Sequence, residues 1–345
     1  MGKAARISMM LVFLGLVVMV LVVYKFYGRI FLTSVNLESD HQIFYISTGS
    51  GFDEVAESLE REGIVEDMKS FRWVAIKKGY DSMVKPGRYK IRNGISNNEL
   101  VNLLRSGNQD PVMVVFNNVR TLDQLAGKVS RYLEADSCTL ADYLLQEELA
   151  ARYGFESYNF TTMFIPNTYE FFWTASPGEF TDRMNLEYRK FWEGERDRKA
   201  GRLGMNRVQV VTLASIVDEE TLFDEENARV AGVYMNRLEK GIPLQADPTL
   251  KFALGDFNLK RILNDDKKIE SPYNTYKYRG LPPGPISIPS VSAIDGVLNY
   301  EKHGYLYFCA KSDFSGYHVF AKTLSEHNRY AREYQNALNK QRVYR

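Results

Sequence analysis

Three consecutive acidic residues, Asp218, Glu219 and Glu220, stand near the end of a hydrophobic segment and are the strongest candidates for chemistry in this sequence. The apolar spacing over residues 207–222 predicts a helix in which Val217 belongs to a buried stripe. At about 100° per residue, Glu219 falls about 200° from Val217, whereas Glu220 falls about 60° away and is the acid nearest the stripe. Neighbouring negative charges and the negative end of a helix both raise a carboxyl pKa, as a general acid requires at neutral pH. A solvated acidic helix end is the alternative interpretation.

Polar and aromatic motifs follow this helix at intervals and would suit a saccharide-binding cleft. A second predicted helix over residues 226–238 carries Glu226, Asn236 and Arg237, and polar turns follow at 244–249, 271–276 and 280–286. Tyrosine rings can stack on sugar faces, while Asn, Gln and Asp side chains can bond hydroxyl and acetamide groups. Ordinary turn chemistry is the alternative, because Pro, Gly and Asn occur in loops of every kind.

Taken in order, these segments resemble the endolytic murein transglycosylase family (MltG, YceG-like). The matching motifs are ASIVDEET at 214–221, Glu226, VAGVYMNRL at 230–238, LQADPT at 244–249, YNTY at 273–276, GLPPGPI at 280–286, YLYF at 305–308, Gly316, His318 and His327-Asn328. The resemblance covers the whole chain and is strongest over residues 210–328. It implies a lyase that cleaves the β-1,4 bond between N-acetylmuramic acid and N-acetylglucosamine in peptidoglycan.

The resemblance also implies roles for individual residues. It places the catalytic glutamate at Glu220, the residue that helix geometry independently favours. It further implies contacts with the substrate by Glu226, Asn236, Gln245, Asp247, Tyr273, Asn274 and Tyr276. The chain departs from the family pattern in Asp218 for the first glutamate, the added acid Glu219, Asn167 for Asp, and Ile288 and Ser290 for Asn and Gly. None of these changes removes the catalyst, but the shorter Asp218 leaves its supporting role open.

The expected reaction needs one carboxyl group. Glu220 would protonate the glycosidic oxygen and then take a proton from the muramoyl C6 hydroxyl, which closes onto C1 and leaves a 1,6-anhydro end. One alternative is a muramidase-type hydrolase, in which Asp247 or Asp218 supplies a second carboxylate and water is the acceptor. The other is a membrane-tethered peptidoglycan-binding scaffold that does not cut.

The N-terminal segment is unlike the rest of the chain. No charged residue occurs from Ile7 to Tyr24, and Lys3 and Arg6 precede this run. Roughly 20 apolar residues cross the hydrocarbon core of a bilayer, so the segment predicts an anchor with a cytoplasmic N-terminus and the remaining chain outside. A cleaved signal peptide is the alternative, but an aromatic Tyr-Lys-Phe-Tyr stretch stands where small residues would be expected.

The sequence predicts an α+β chain with a single N-terminal transmembrane helix, a LysM-like βααβ module and a mixed α/β catalytic domain. The expected divisions are a cytoplasmic tail (1–6), an anchor (7–27), a linker (28–42), the module (43–110) and the YceG-like catalytic domain (111–340). Within the module we expect strands at 43–48 and 88–91 and helices starting near Ser50, at 68–78 and at 97–106. This order resembles LysM, a fold that often binds N-acetylglucosamine polymers; a spacer without a ligand is the alternative.

In the catalytic domain the patterns predict a strand and several helices before the acidic motif. The strand is expected at 112–116, and the helices at 121–133, 138–153 and 179–202. Residues 160–172 are aromatic and contain Pro166, which predicts irregular structure between core and cleft.

Composition excludes other functional classes. With 44 Lys+Arg against 43 Asp+Glu the chain has no basic excess for a phosphate backbone, so no nucleic-acid partner is expected. Its two cysteines, Cys138 and Cys309, cannot make a disulfide framework, and their pairing is left open. His41, His303, His318 and His327 lack metal-ligand spacing, so we expect no metal and no cofactor. The expected partners are peptidoglycan glycan strands and cell-wall synthases, at the bacterial inner membrane.

Overall fold

The structure, a computed structural model, describes residues 2–259 and 262–340 and is of the α+β class. The helices are α1 (Lys3–Phe31), α2 (Phe52–Arg61), α3 (Met68–Lys77), α4 (Asn97–Ser106), α5 (Leu122–Val129), α6 (Ser137–Leu144), α7 (Glu147–Arg152), α8 (Pro177–Trp192), α9 (Glu195–Arg202), α10 (Arg207–Glu220), α11 (Asn227–Glu239), α12 (Asp247–Leu254), α13 (Val291–Leu298) and α14 (Leu324–Lys340). The strands are β1 (His41–Ile46), β2 (Gly87–Arg92), β3 (Val112–Phe116), β4 (Asn167–Phe171), β5 (Tyr307–Ala310) and β6 (His318–Ala321), and short 3₁₀ helices lie at Ser157–Met163, Asp224–Glu226 and Asp266–Lys268. Met1, which begins the predicted cytoplasmic tail, lies outside the described residues.

The chain divides into two units. One unit comprises Met1–Met113 with Glu170–Ala175, and the other comprises Val114–Tyr169 with Ser176–Arg345. The predicted boundary between module and catalytic domain, at residues 110 and 111, lies close to the first division. The return of Glu170–Ala175 to the first unit has no counterpart in the sequence prediction.

Helix α1 is, within the described part of the chain, the one helix long and apolar enough to cross a membrane, over Ile7–Phe31. It then continues into the folded module. The Asn97 side-chain amide donates a hydrogen bond to the Arg29 carbonyl oxygen at 3.0 Å, and the rings of Phe26 and Trp73 lie 5.5 Å apart. Within the segment predicted as a linker, Ser34 and Val35 are buried in the first unit.

The first unit has the βααβ order expected from the sequence. Strands β1 and β2 pair antiparallel over their whole length, from His41 opposite Arg92 to Ile46 opposite Gly87. Helix α4 has the predicted bounds, because Ser96 accepts a hydrogen bond from the backbone of Glu99 and caps its start. The helix expected to start near Ser50 begins at Phe52, and the Gly51 N–H before it donates to the Glu54 carboxylate at 3.1 Å. Glycan binding by this unit stays a prediction.

Three predicted elements in the second unit differ from the structure. The single helix expected over 138–153 is broken into α6 and α7, and the one expected over 179–202 is broken at Gly194, whose φ of 80° is incompatible with a helix. The stretch predicted as irregular contains a 3₁₀ helix and β4, which pairs with β3. The Phe116 and Tyr169 rings stack at 5.8 Å, and Phe160, Phe164 and Phe171 are also buried, so most aromatic residues of this stretch form core, whereas Phe172 is exposed.

Helix α10 is the central helix of the second unit. Every residue from Val210 to Val217 is buried, because α9, α11, α12 and α13 all pack against it. The predicted apolar stripe is buried, but so are the other faces of the helix from Val210 to Val217, which the sequence did not predict. Gly232 on α11 allows one of the close contacts nearby, since a Cβ there would lie 2.3 Å from the Glu301 carbonyl oxygen.

A hairpin and a helix complete the second unit. Strands β5 and β6 pair antiparallel, with Tyr307 opposite Ala321, and α14 packs on both. Cys138 is exposed and Cys309 is half-buried, and both are free thiols.

Candidate active site

A cavity of about 340 Å³ opens at the end of α10 and contains Glu220. Its lining combines aromatic, apolar and polar side chains: Tyr234, Tyr276, Tyr307, Phe308, Leu244, Leu324, Gln245, Glu220, Arg237, Asp247 and His327. Four of the residues predicted from the sequence therefore come together here, namely Glu220, Gln245, Asp247 and Tyr276. A cavity of this size can hold a small ligand such as a sugar unit.

Glu220 is the last residue of α10 and is surrounded by protein atoms although the cavity opens onto its carboxyl group. Burial raises its pKa from the ordinary 4.5 to about 7, with a smaller contribution from the negative charge of Asp247. The sequence argument expected adjacent acids and the helix end to raise this pKa, whereas burial has the largest effect. A carboxyl group with a pKa near 7 is protonated often enough to act as a general acid at neutral pH.

Two residues of α11 that the sequence analysis did not propose as site residues act directly on Glu220. Tyr234 donates a hydrogen bond from its hydroxyl to Glu220 Oε1 at 2.8 Å, and this contact lowers the pKa of Glu220. Arg237 follows one helical turn later on the same face, and its positive charge acts in the same direction. The spacing of an aromatic residue and a cation at i and i+3, one turn apart in VAGVYMNRL, is the sequence signal that could have identified them.

Arg237 also positions the loop before α12. Its side chain is 7% exposed, and burial lowers its pKa. Its Nε donates to the Leu306 carbonyl oxygen at 2.7 Å, and its Nη1 donates to that of Leu244 at 2.8 Å. Because these carbonyls belong to chain segments far apart in sequence, one guanidinium group holds both against α11.

The motifs LQADPT and YNTY meet at the cavity wall. The Gln245 N–H donates to the Thr275 carbonyl oxygen at 3.0 Å, and the Ala246 N–H donates to the Thr275 hydroxyl at 3.0 Å. Tyr276 then donates to Asp247 Oδ1 at 2.5 Å. Gln245 has a φ of 54°, a left-handed conformation that is uncommon for a side chain of this size and is often found at functional sites.

The other four predicted substrate-binding residues lie outside the cavity lining. Glu226 is buried and accepts hydrogen bonds from the backbone and ring of His318, at 3.0 and 2.8 Å. The Asn236 amide donates to the carbonyl oxygens of His303 and Tyr305. Both side chains therefore tie the β5–β6 hairpin and its approach to the helices near Glu220.

Asn274 and Tyr273 also have internal partners. Asn274 is fully buried, and its amide donates to the carbonyl oxygens of Lys267 and Ile269, both at 2.9 Å. The Tyr273 ring packs 4.6 Å from the ring of Phe252. Asn274 thus builds the turn that presents Thr275 and Tyr276, and its place in the motif reflects turn geometry.

Asp218 lies on the opposite side of α10 from Glu220 and contacts the loop before α13. The Ser290 hydroxyl donates to Asp218 Oδ1 at 2.5 Å, and the Ser290 N–H donates to Oδ2 at 3.2 Å. Burial raises the pKa of Asp218, and these hydrogen bonds oppose the rise. Two of the positions at which the chain departs from the family pattern, Asp218 and Ser290, are therefore bonded to each other.

His327 brings the last helix to the cavity. Its ring stacks on that of Tyr307 at 5.5 Å, and its Nδ1 is buried without a hydrogen-bond partner among the described residues. Burial lowers the pKa of His327, with a further contribution from the charge of Arg237, so the ring is neutral at pH 7. Within residues 2–259 and 262–340, no group of three or more His, Cys, Asp or Glu side chains could hold a metal ion.

Comparisons with known proteins place these features in context. The model of the YceG-like family matches residues 44–333. The chain is 29% identical to the endolytic murein transglycosylase of Bacillus subtilis (strain 168) over 337 residues, which are 91% of this chain and 90% of that protein. It is 28% identical to the endolytic murein transglycosylase of Streptococcus pneumoniae serotype 2, with 85% of this chain matched to 58% of that longer protein. A crystal structure of a putative YceG-like protein from Listeria monocytogenes is similar with a TM-score of 0.57 at 27% identity, over 84% of this chain and 98% of that one.

Proposed function

The chain belongs to the YceG-like family, and we propose that it is an endolytic peptidoglycan lytic transglycosylase that uses Glu220 as its single catalytic acid and base. The observation that carries the proposal is a carboxyl group with a pKa of about 7 at the end of a buried helix, facing a cavity lined by tyrosines. Relatives that align over most of this chain are named endolytic murein transglycosylases, and this supports lyase activity on peptidoglycan.

The reaction begins with protonated Glu220. Its proton passes to the oxygen of the β-1,4 bond between N-acetylmuramic acid and N-acetylglucosamine, and the bond from C1 to that oxygen breaks. The Glu220 carboxylate then takes the proton of the muramoyl C6 hydroxyl, and the oxygen of that hydroxyl bonds to C1. The products are a 1,6-anhydromuramoyl end and a free 4-hydroxyl, and the protonated glutamate is restored without water.

The arrangement around Glu220 supports both halves of this cycle. Burial favours the protonated acid that begins the reaction, while the Tyr234 hydroxyl and the Arg237 charge favour the carboxylate formed midway. Opposing influences of this kind bring a pKa close to the working pH, at which a group donates and accepts a proton with similar ease. Gln245, Asp247 and Tyr276 would contact the sugar, because they line the same cavity.

A muramidase-type hydrolase is the alternative that the site itself raises. Asp247 is a second carboxylate in the cavity, and a retaining or inverting hydrolase requires two. In this structure the Asp247 carboxylate accepts the hydrogen bond of Tyr276. The names of the relatives favour lytic cleavage, and the masses of the products separate the two reactions.

The N-terminal helix supports a place at the membrane. We propose a single-pass anchor in the bacterial inner membrane, with the N-terminus in the cytoplasm and the catalytic unit outside. An anchored enzyme meets glycan strands where they are polymerised, so it would cut nascent strands and terminate their elongation, with cell-wall synthases as neighbours.

Mass spectrometry of digested peptidoglycan tests the proposal. Full-length protein in detergent and its Glu220→Gln variant would be compared on the same uncross-linked strands. Anhydromuramoyl products from the wild type alone support the lyase and its catalyst. Reducing-end products, which are one water heavier, would assign a hydrolase, and binding without cleavage by the wild type would assign a scaffold.

A further inference from the structure

Glu220 borders two cavities, and the second one is unassigned by the proposed mechanism. This second cavity, of about 400 Å³, lies along the segment that follows α10 and the loop before α13, and it includes Asn118, Arg120, Glu219, Thr221 and Ser287. We propose that it is a saccharide subsite. It holds the part of the glycan on the other side of the glycosidic bond that is cut, opposite the sugar in the first cavity, which Tyr234 lines and which we call the Tyr234 cavity. The inference rests on the proposed function and adds the position of the second sugar.

The geometry of acid catalysis requires such a pair of sites. A glycosidic oxygen joins two sugars, so the group that protonates it must lie between the places where the two sugars bind. Glu220 occupies that position, since it is the residue that the two cavities share. The Tyr234 cavity has the aromatic lining, whereas hydroxyl, amide and ion-paired side chains line the second cavity.

Ser287 gives the second cavity a hydrogen-bonding group with no internal use. Its side chain is 3% exposed, and its hydroxyl has no hydrogen-bond partner in the part of the chain that the structure describes. The flanking backbone holds it in place, because the Ile286 N–H donates to the Ser215 hydroxyl at 3.0 Å and the Ile288 N–H donates to the Val119 carbonyl oxygen at 2.7 Å. A buried hydroxyl without a partner lowers the stability of the folded protein, so a ligand that forms a hydrogen bond with it removes this destabilisation.

Arg120 and Glu219 in the second cavity form an ion pair, and Asp218, which also lines it, is hydrogen-bonded to Ser290. Arg120 Nη2 donates to Glu219 Oε2 at 2.7 Å, and its guanidinium group lies 5.1 Å from the centre of the Phe257 ring. The charges of Arg120 and Glu219 cancel each other, but the guanidinium group keeps further N–H donors and the carboxylate keeps further lone pairs. Such a surface offers donors and acceptors for the hydroxyl and acetamide groups of a sugar.

Asn118 extends the subsite along the chain. It lines the second cavity and also a third cavity of about 400 Å³ that includes Asn117, Asn167 and Ser292. Its φ of 49° is a left-handed conformation, a kind of local strain that clusters at ligand sites. The three cavities form a series on one unit, with Glu220 between the first and second and Asn118 between the second and third.

Binding measurements in the Glu220→Gln background test this subsite without turnover. The full-length protein in detergent would be titrated with uncross-linked glycan strands of defined length. Ser287→Ala is the main variant, because it removes one unpartnered hydroxyl and leaves a smaller side chain in the same backbone. Thr212→Val is the matched control: its hydroxyl is also buried without a partner, on α10 and away from the cavities.

We expect Ser287→Ala to weaken strand binding about three- to tenfold, the change for one hydrogen bond, with an unchanged or higher melting temperature. Thr212→Val should leave the affinity unchanged. Asn118→Gly keeps the left-handed backbone and should weaken the binding of long strands more than that of a tetrasaccharide.

An affinity of Ser287→Ala within twofold of its parent overturns the subsite. That result is separable from failure of the proposed function, because wild-type protein would still release anhydromuramoyl products and Glu220→Gln would not. Loss of affinity together with a fall in melting temperature would also count against the subsite, since it would assign the hydroxyl a structural role.

Discussion

The Tyr234 hydroxyl donates a hydrogen bond to Glu220 Oε1 at 2.8 Å, which joins the middle of α11 to the last residue of α10. The bond occupies one carboxyl oxygen, so in the proposed mechanism the other oxygen would transfer the proton to the substrate. The hydrogen bond also favours the charged form of Glu220 and thereby lowers the pKa of this buried carboxyl group.

Replacing Tyr234 by Phe should shift the pH dependence of cleavage. Loss of a donor to the carboxylate raises the pKa of Glu220 further, so the limb of kcat/KM that falls with rising pH should move upward by about one pH unit. The pH–rate profile on uncross-linked strands measures this shift. Tyr307→Phe is the control, because Tyr307 lines the same cavity and the structure shows no hydrogen bond between Tyr307 and Glu220; an equal shift in both variants would contradict the role of Tyr234.

Glu220→Gln should increase stability at neutral and alkaline pH. The folded-state pKa of about 7 lies above the ordinary 4.5, so the wild type loses stability as pH rises from 4.5 to 7 while the unfolded chain ionises first. The variant lacks this loss and should gain about 3 kcal/mol above pH 7 and almost nothing at pH 4. Chemical denaturation at the two pH values measures the gain.

Glu219→Gln is the matched variant for that experiment. Glu219 is adjacent in sequence but pairs with Arg120 at 2.7 Å, so its removal should give no pH-dependent gain. Equal stabilities of wild type and Glu220→Gln at pH 8 would show that Glu220 is not held as a buried acid.

The Asp218–Ser290 contact should be measurable as a coupling energy. A double-mutant cycle with Asp218→Ala and Ser290→Ala should give about 1–3 kcal/mol, because the half-buried carboxylate accepts both the hydroxyl and the N–H of Ser290. Ser290 also caps α13 by accepting from the Ala293 N–H at 3.1 Å, so Ser290→Ala should be the more destabilising single change. A coupling below about 0.5 kcal/mol would mean that the two residues act independently.

Gly232→Ala should lower the free energy of unfolding by about 1–3 kcal/mol, as overpacking does. The added Cβ would lie 2.3 Å from the Glu301 carbonyl oxygen and 2.7 Å from His303 Nε2, so α11 must move away from the approach to β5. Gly201→Ala on α9 is the control. It meets nothing within 4 Å and should gain about 0.5–1 kcal/mol from helix propensity. Denaturant unfolding of both variants gives the comparison.

Sequence reasoning performed best where a local rule decides the structure. Helix α4 and strand β3 have the predicted bounds, because a capping serine and a short β-branched run are read within a few residues. It performed worse where packing decides. The eight buried residues of α10 could not be inferred from its spacing, since coverage on all sides depends on four other helices.

The same distinction holds for the site. Gln245, Asp247 and Tyr276 meet Glu220 in one cavity, as the motif order implied. Asn274 carries an amide, as Gln245 does, and stands in the same motif as Tyr276, yet its amide donates to carbonyl oxygens of its own turn. A sequence does not reveal which of two polar neighbours faces inward, because that choice depends on the conformation of the loop.

The end of α1 packs directly on the rest of the first unit, and this has a mechanical consequence. Val35 is buried only a few residues after the end of α1, and Asn97 bonds the last turn of that helix through the Arg29 carbonyl. In the proposed anchored state, a bilayer thinner than the helix makes it tilt, and the unit fixed to its end must lean through the same angle. Lipid composition would thereby change the orientation of the first unit relative to the membrane.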